Sequence, residues 1–231
     1  MDRIQRHFEE EADEFDGIIL RLIPYYPEML EALVSTLPFE ASRPIRVTDL
    51  GCGTGTVAAR VKAAFPNALV TCVDIAANML EMAKKKLAGE PGVRFVQAGF
   101  NHFDFDAGQD AVVSSLALHH LVSDGDKRDF YRKIHDSLAP GGVFYNADVV
   151  LAANDGLQKT AMEKWKAFML KSVSRDEIEG KWLPKYYEED RPARLKDQLK
   201  WLEEIGFADV DVIWKTYNYA VYGGSKPEGR N

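Results

Sequence analysis

The chain has 231 residues, a 46% hydrophobic fraction and a formal net charge of −7. That length suits one domain with a modest elaboration, and the negative balance argues against broad phosphate-backbone binding while leaving a local basic patch open. No apolar run approaches the ~18 residues needed to span a bilayer, the charged start lacks the apolar centre of a signal peptide, and neither Cys52 nor Cys72 stands in a Cys/His metal-ligand spacing, so a cytoplasmic enzyme without a bound metal is the expectation.

Residues 1–44 read as a helical cap. Phe8, Ala12 and Phe15 mark one apolar stripe, and Met29, Leu30, Leu33, Val34 and Leu37 mark another at helical spacing. Pro24 and Pro27 punctuate the segment between them. From Ile45 strands and helices alternate. Strands are expected at 45–50, 69–73, 93–97, 111–115 and 143–150, with helices at 54–65, 76–88 and 126–138 between them. Pro140-Gly141-Gly142 reads as a turn before the fifth strand. Residues 151–190 are helix-forming text rich in Lys, Glu, Trp and Tyr, an insert or lid. A helix over 191–205 ends at Gly206, a C-cap residue. Strands at 210–214 and 217–222 close the chain as an antiparallel hairpin. The whole predicts a single α/β domain: a Rossmann-like, doubly wound, mostly parallel sheet of seven strands, with a cofactor-binding core at 45–150, two helical caps, and a final helix and hairpin at 191–231.

The densest signal is Val47-Thr48-Asp49-Leu50-Gly51-Cys52-Gly53-Thr54-Gly55. It places an acid at the end of a strand, glycines at alternate positions, and then a helix. Glycine lets the backbone turn sharply and a ligand approach closely, while the helix start offers unpaired N–H groups. The next strand ends in Asp74, where a carboxylate suits the two hydroxyls of a ribose. A nucleoside-containing cofactor is the expectation. The spacing is not the dinucleotide G-x-G-x-x-G, and Asp49 would repel a pyrophosphate but suits a ligand bearing an ammonium and a sulfonium.

The Asp49–Gly55 string resembles motif I of class I S-adenosylmethionine-dependent methyltransferases, and Asp74 resembles their second-strand acid. Gln109 to Ser115 is similar to motif IV, and Leu138 to Gly142 to the turn before the fifth strand. The resemblance covers residues 45–224 in element order. It implies S-adenosyl-L-methionine as the cofactor, held by Tyr26, Asp49, Gly51, Cys52, Gly53, Gly55, Asp74, Ile75, Met79, Gly99, Phe100 and Ser115. One departure stands out: Gly99 occupies the place of the acid that meets the adenine amino group, which leaves that contact to backbone N–H groups or Asn101, with Phe100 against the ring.

Methyl transfer needs alignment and exclusion of water more than a fixed catalytic residue, because the cofactor brings the activated group. His119 and His120, just after the fourth strand, are the candidate bases; packing or backbone hydrogen bonding is the plainer role. Tyr25 and Tyr26 either line the cofactor pocket or staple the cap. Asp148 either binds a cationic substrate or is a solvated strand-end carboxylate. His102 reads as a loop residue. Trp165, Trp182, Tyr186 and Tyr187 either bury the insert against the core or build a planar or cationic substrate site. Cys52 and Cys72 read as small buried fillers.

The segments 15–26 and 202–218 further resemble the carboxy-S-adenosylmethionine synthase group associated with tRNA wobble-uridine modification, in which Tyr26 falls at a cofactor-proximal tyrosine. Two features depart from it: the glycine loop text, and Lys181-Trp182-Leu183-Pro184-Lys185 where that group has an arginine for an extra carboxylate. The expectation is therefore methyl transfer to a small-molecule acceptor. A carboxy-S-adenosylmethionine synthase-like or tRNA-modifying enzyme and a non-catalytic cofactor-binding regulator are the alternatives. No membrane partner is expected, and a homodimer is left open.

Overall fold

The computed structural model describes residues 15–229. Helices α1 (Phe15–Leu22) and α2 (Tyr26–Ser35) precede β1 (Arg46–Leu50), α3 (Thr56–Ala64), β2 (Leu69–Asp74), α4 (Ala77–Lys86) and β3 (Val93–Gln97). Then come β4 (Gln109–Ser115), a 3-10 turn at Leu118–His120, α5 (Asp124–Ser137) and β5 (Leu138–Val149). The insert holds α6 (Asp155–Met169), a helical turn at Arg175–Glu177, a π turn at Ile178–Trp182 and α7 (Leu183–Glu189). Helix α8 (Leu195–Ile205), β6 (Ala208–Thr216) and β7 (Tyr219–Ser225) follow. Of the first apolar stripe only Phe15 can be placed; Phe8 and Ala12 lie outside the described residues.

One seven-stranded sheet has the order β3-β2-β1-β4-β5-β7-β6. The strands β1 to β5 pair in parallel, and β7 runs antiparallel to both β5 and β6. This is the expected α/β Rossmann-like architecture. Inner strands are buried on both faces: β1 and β7 are buried at all but one position each, even though β1 carries Thr48 and Asp49 among its buried residues. The edge strand β6 instead alternates between half-buried and exposed positions. One face packs Leu30, Leu33, Val57, Val61, Trp165 and Met169, and the other packs Phe130, Ile134, Phe144, Trp201 and Leu202. Among the described residues no helix is long and apolar enough to cross a membrane.

Among the boundaries that differ from the sequence expectation, four have a clear local reason. Helix α3 begins at Thr56 because Gly55, its N-cap, sits at φ 81°, outside helical space. Pro140-Gly141-Gly142 is a bulge inside β5 and not a turn before it, because Leu138 already pairs with Gln109 and the ladder resumes at Val143. Helix α8 starts at Leu195, not at 191. Pro192 disfavours helix before it, and the segment instead bridges Leu151, with Leu151 N–H donating to Ala193 O at 2.9 Å. Tyr217, expected in a strand, forms the left-handed turn between β6 and β7 at φ 47°. Gly206 caps α8 at φ 117°, as expected.

The β5–β7 contact leaves no room at Gly223. A Cβ there would stand 1.9 Å from Phe144 O, whereas at Gly180, in the π turn, it would meet nothing within 4 Å. Gly223→Ala is expected to lower unfolding stability by about 3 kcal/mol, and Gly180→Ala to be neutral or stabilising by a few tenths of a kcal/mol, roughly. Urea titration followed by circular dichroism measures both.

Candidate active site

The sheet order reverses direction between β1 and β4, and a crevice opens beyond the carboxyl ends of these strands. A cavity of about 1100 Å³, counting its mouth, lies there. Of the residues that the sequence nominated for a cofactor, Tyr26, Gly51, Cys52, Gly53, Asp74, Ile75, Met79, Gly99, Phe100 and Ser115 line it. Asp74 is held from both sides: its Oδ2 accepts from Gly53 N–H at 2.8 Å and its Oδ1 from Ala76 N–H at 2.9 Å. A carboxylate accepts about four hydrogen bonds, so this orientation is compatible with further hydroxyl donors. Phe100 stacks toward Phe130 at 5.2 Å, and Asn101 joins the same wall. Ser115 Oγ is buried in the wall with no hydrogen-bond partner.

Two nominated residues do not face this cavity. Asp49 is fully buried beneath the loop, where its Oδ2 accepts from Ala58 N–H at 3.1 Å. It therefore closes the first turn of α3, which lacks a side-chain cap of its own. Burial pushes its carboxyl up to about 7, against the Ala58 hydrogen bond and with the Asp74 charge adding to the rise. Gly55 serves helix packing: a Cβ there would stand 3.1 Å from both Ala83 Cβ and Leu87 Cδ1. Gly51 has a similar reason, since its Cβ would fall 2.3 Å from Ala117 Cβ, and its φ is 64°. Cys52 and Cys72 are buried free thiols. Tyr25 is exposed, so only its neighbour Tyr26 enters the cavity wall.

A second cavity, about 810 Å³ with its mouth, lies between α1 and the insert. Ile18, Ile19, Leu22, Trp165, Trp182 and Tyr186 form its apolar side, and His119, His120, Lys185, Glu189 and Asp190 its polar end. Phe15, Leu116 and His120 line both cavities, so the two spaces meet there. Leu116 sits at φ 51°, a backbone region that a leucine seldom adopts outside strained functional positions. The insert aromatics therefore do both jobs: Trp165, Trp182 and Tyr186 are buried and also wall the cavity, while Tyr187 is exposed. Trp165 Nε1 ties the insert to α1 by donating to Leu22 O at 2.7 Å.

The polar end is organised around His119. Its Nδ1 is 2.5 Å from Asp148 Oδ1, and its Nε2 is 3.4 Å from Asp190 Oδ1. Asp148, expected to be solvated or to meet a substrate cation, is only 2% exposed. It accepts from the backbone N–H groups of His119 (3.0 Å) and Val149 (2.8 Å), and Asn146 Nδ2 donates to it at 3.3 Å. Asn146 in turn donates to Tyr222 Oη, which hydrogen-bonds Gln198 with Tyr131. Burial disfavours the His119 imidazolium, but the Asp148 and Asp190 carboxylates outweigh it and raise the group to about 10. Burial and the adjacent His119 charge hold His120 down to about 4. His119 thus faces the second cavity alone, and His120 stands at the junction. Sequence reasoning missed Asp190, which lies in the charged run Glu188-Glu189-Asp190-Arg191. Nothing local separates it from its exposed neighbours. His102, expected in a loop, forms part of a short 3-10 turn at Phe100–His102 and is exposed.

This strand order, with its glycine loop and acid-tipped second strand, is the class I S-adenosylmethionine-dependent methyltransferase fold. Residues 47–142 match the family described as Methyltransferase domain. The chain is 25% identical to the carboxy-S-adenosyl-L-methionine synthase of Nautilia profundicola over 94% of this chain and 93% of that protein. It superposes on the S-adenosylhomocysteine complex of DhpI with a TM-score of 0.64 and 21% identity, covering 98% of this chain and 96% of that one. An O-methyltransferase family protein from Burkholderia thailandensis gives a TM-score of 0.67 at 18% identity, covering 95% of this chain; the chain spans only 60% of that longer protein.

The sign of the pH effect on stability follows from His119. Its folded-state value is raised, so its stabilising contribution is complete below about 6.5, the ordinary histidine value, and is lost as pH rises through about 10. The stability gap between the parent chain and Asp190→Asn should be widest near pH 6.5 and narrow toward pH 10. Thermal melts across that range read it directly; a gap that widens with pH would contradict the assignment.

Proposed function

We propose that the chain transfers the methyl group of S-adenosylmethionine to a small molecule that carries an O–H or N–H group. The observation that carries this reading is the meeting of two cavities at Phe15, Leu116 and His120. One bears the glycine loop and Asp74, and the other ends in a histidine flanked by two carboxylates. The cofactor, when bound, supplies the activated methyl and the leaving group. The residues that would hold it are Gly51, Cys52 and Gly53 along the loop, Asp74 at the ribose, and Ile75, Met79, Gly99 and Phe100 around the base, with Tyr26 and Ser115 toward the methionine end.

The chain's own task is to place the acceptor and take its proton. Two carboxylates flank one imidazole and keep it protonated below about 10, so the group takes the acceptor's proton in the fraction whose imidazolium has lost its own to solvent, a fraction that grows as pH rises toward that value. Asp148 fixes the His119 ring, as a buried carboxylate does in other histidine bases. Asp190, on the cavity side, gives the acceptor hydrogen a polar path to His119. The apolar wall of Trp165, Trp182 and Tyr186 suits an acceptor with a hydrophobic body and excludes water. The likeness to the Burkholderia O-methyltransferase family protein agrees with an oxygen acceptor.

The second reading, a carboxy-S-adenosylmethionine synthase, is favoured by the near full-length match to proteins of that name. Against it, Lys181-Trp182-Leu183-Pro184-Lys185 stands where that group's arginine is implied, and Trp182 and Lys185 wall the second cavity. Mass spectrometry of the copurified cofactor separates the two, since an added carboxylate changes its mass. A tRNA acceptor is not favoured, because the second cavity is largely apolar and narrows to one polar end.

Calorimetry with S-adenosylhomocysteine should show Asp74→Ala binding at least about tenfold more weakly, the loss of a charge-assisted hydrogen bond. Affinity equal to that of the parent would sink the cofactor assignment. With deuterated-methyl cofactor and a metabolite extract as acceptor pool, His119→Asn should lower transfer by roughly 10²–10⁴ while leaving S-adenosylhomocysteine affinity unchanged.

A further inference from the structure

We propose that His119, His120 and Asp190 form a binding site for one divalent transition-metal ion. One ligand atom from each of these residues lies within 4.8 Å of the others. Asp190 Oδ1 is 3.4 Å from His119 Nε2 and 3.7 Å from His120 Nδ1. Donor atoms that share a tetrahedral ion at 2.0–2.2 Å stand about 3.4 Å apart, so small side-chain shifts close the set around one ion.

The surroundings support the same conclusion independently of these distances. A metal-bound histidine nearly always gives its other ring nitrogen to a carboxylate, which fixes the ring and its tautomer. His119 Nδ1 is held in that way by Asp148 at 2.5 Å, and Asp148 is itself anchored by Asn146 and by the backbone N–H groups of His119 and Val149. Charge points in the same direction. Asp148 and Asp190 bring two carboxylates to the imidazole pair, while Lys185, the cation facing Asp190, is shared with Glu189. A divalent ion that displaces the His119 proton takes over the compensation of buried Asp148 and half-buried Asp190 that the imidazolium otherwise provides. Two imidazoles and one carboxylate select zinc, cobalt or iron(II) over magnesium or calcium. All three ligands line the second cavity, so the remaining coordination positions face the acceptor space.

The consequence for catalysis rests on the proton route proposed above. An ion on His119 Nε2 and Asp190 occupies the atoms through which the acceptor's proton leaves. The coordinating nitrogen gives up any proton it carries to solvent, and methyl transfer stops. The metal therefore acts as an inhibitor of the same site, reversible by chelation.

The full chain, stripped with EDTA and dialysed against Co²⁺ or Zn²⁺, should retain about one ion by elemental analysis. Cobalt should show the intense visible bands of a low-coordinate N/O site. His120→Ala and Asp190→Asn, checked for folding by circular dichroism, should bind at least about tenfold more weakly. Copper loaded into the parent chain offers a test that needs no variant: its electron paramagnetic resonance spectrum should show coupling to two imidazole nitrogens. Absence of saturable binding, equal binding in the variants, or no nitrogen coupling overturns the proposal. Zinc should abolish methyl transfer and EDTA restore it. Saturable, variant-sensitive binding with undiminished transfer would keep the metal site and overturn the proton route through His119.

Discussion

The site depends on one constraint: a buried imidazole must be compensated from two sides. Asp148 comes from β5, in the core sheet, and Asp190 from the end of the insert. His119 lies between them on the turn after β4. An uncompensated charge at this depth would cost several kcal/mol, roughly, so the three elements are tied to one arrangement. The insert is thereby fixed to the core at the point where the two cavities meet. The backbone bridge of Leu151 to the 193–195 segment and the Arg191 N–H to His119 O bond (3.0 Å) brace the same junction.

The second organising fact is how the glycine loop is supported from beneath. Asp49 closes the first turn of α3, Gly55 lets α4 pack against α3, and Gly51 lets Ala117 approach the loop. Asp49 and Gly55, which look like ligand contacts in the sequence, hold the loop's own shape, and Gly51 does so while also lining the cavity. Gly51, Cys52, Gly53 and Asp74 face the cavity, with an apolar shell that includes Tyr26, Met79 and Phe100. The loop's supports come from the fold itself, through the Asp49 hydrogen bond and the close approaches at Gly51 and Gly55.

Alternation of strands and helices is legible in the sequence because buried parallel strands are short apolar runs and the helices between them carry one apolar stripe. Asp74 is legible too, as the acid that ends the second strand. Asp49 misleads for a clear reason: an acid before a glycine loop suits either a ligand cation or a helix N-terminus, and spacing alone cannot separate the two. Pro140-Gly141-Gly142 misleads similarly, since turn residues and bulge residues are the same residues. Asp148 stands out in the sequence, but a solvent or substrate role is all its neighbours suggest, because its burial is set by pairing with β7 and by His119 on the turn after β4.

By itself the sequence determined the α/β class, the order of the core elements, the glycine loop and the acid that ends the second strand. These are local or periodic properties, written in runs of a few residues. Tertiary structure alone decided that Asp49 turns inward, that α1 and the insert enclose a second cavity, and that Asp148, His119, His120 and Asp190 converge. Those residues are brought together by a parallel sheet and an insert folded back over it, and no periodicity or spacing encodes contacts made at such distance along the chain.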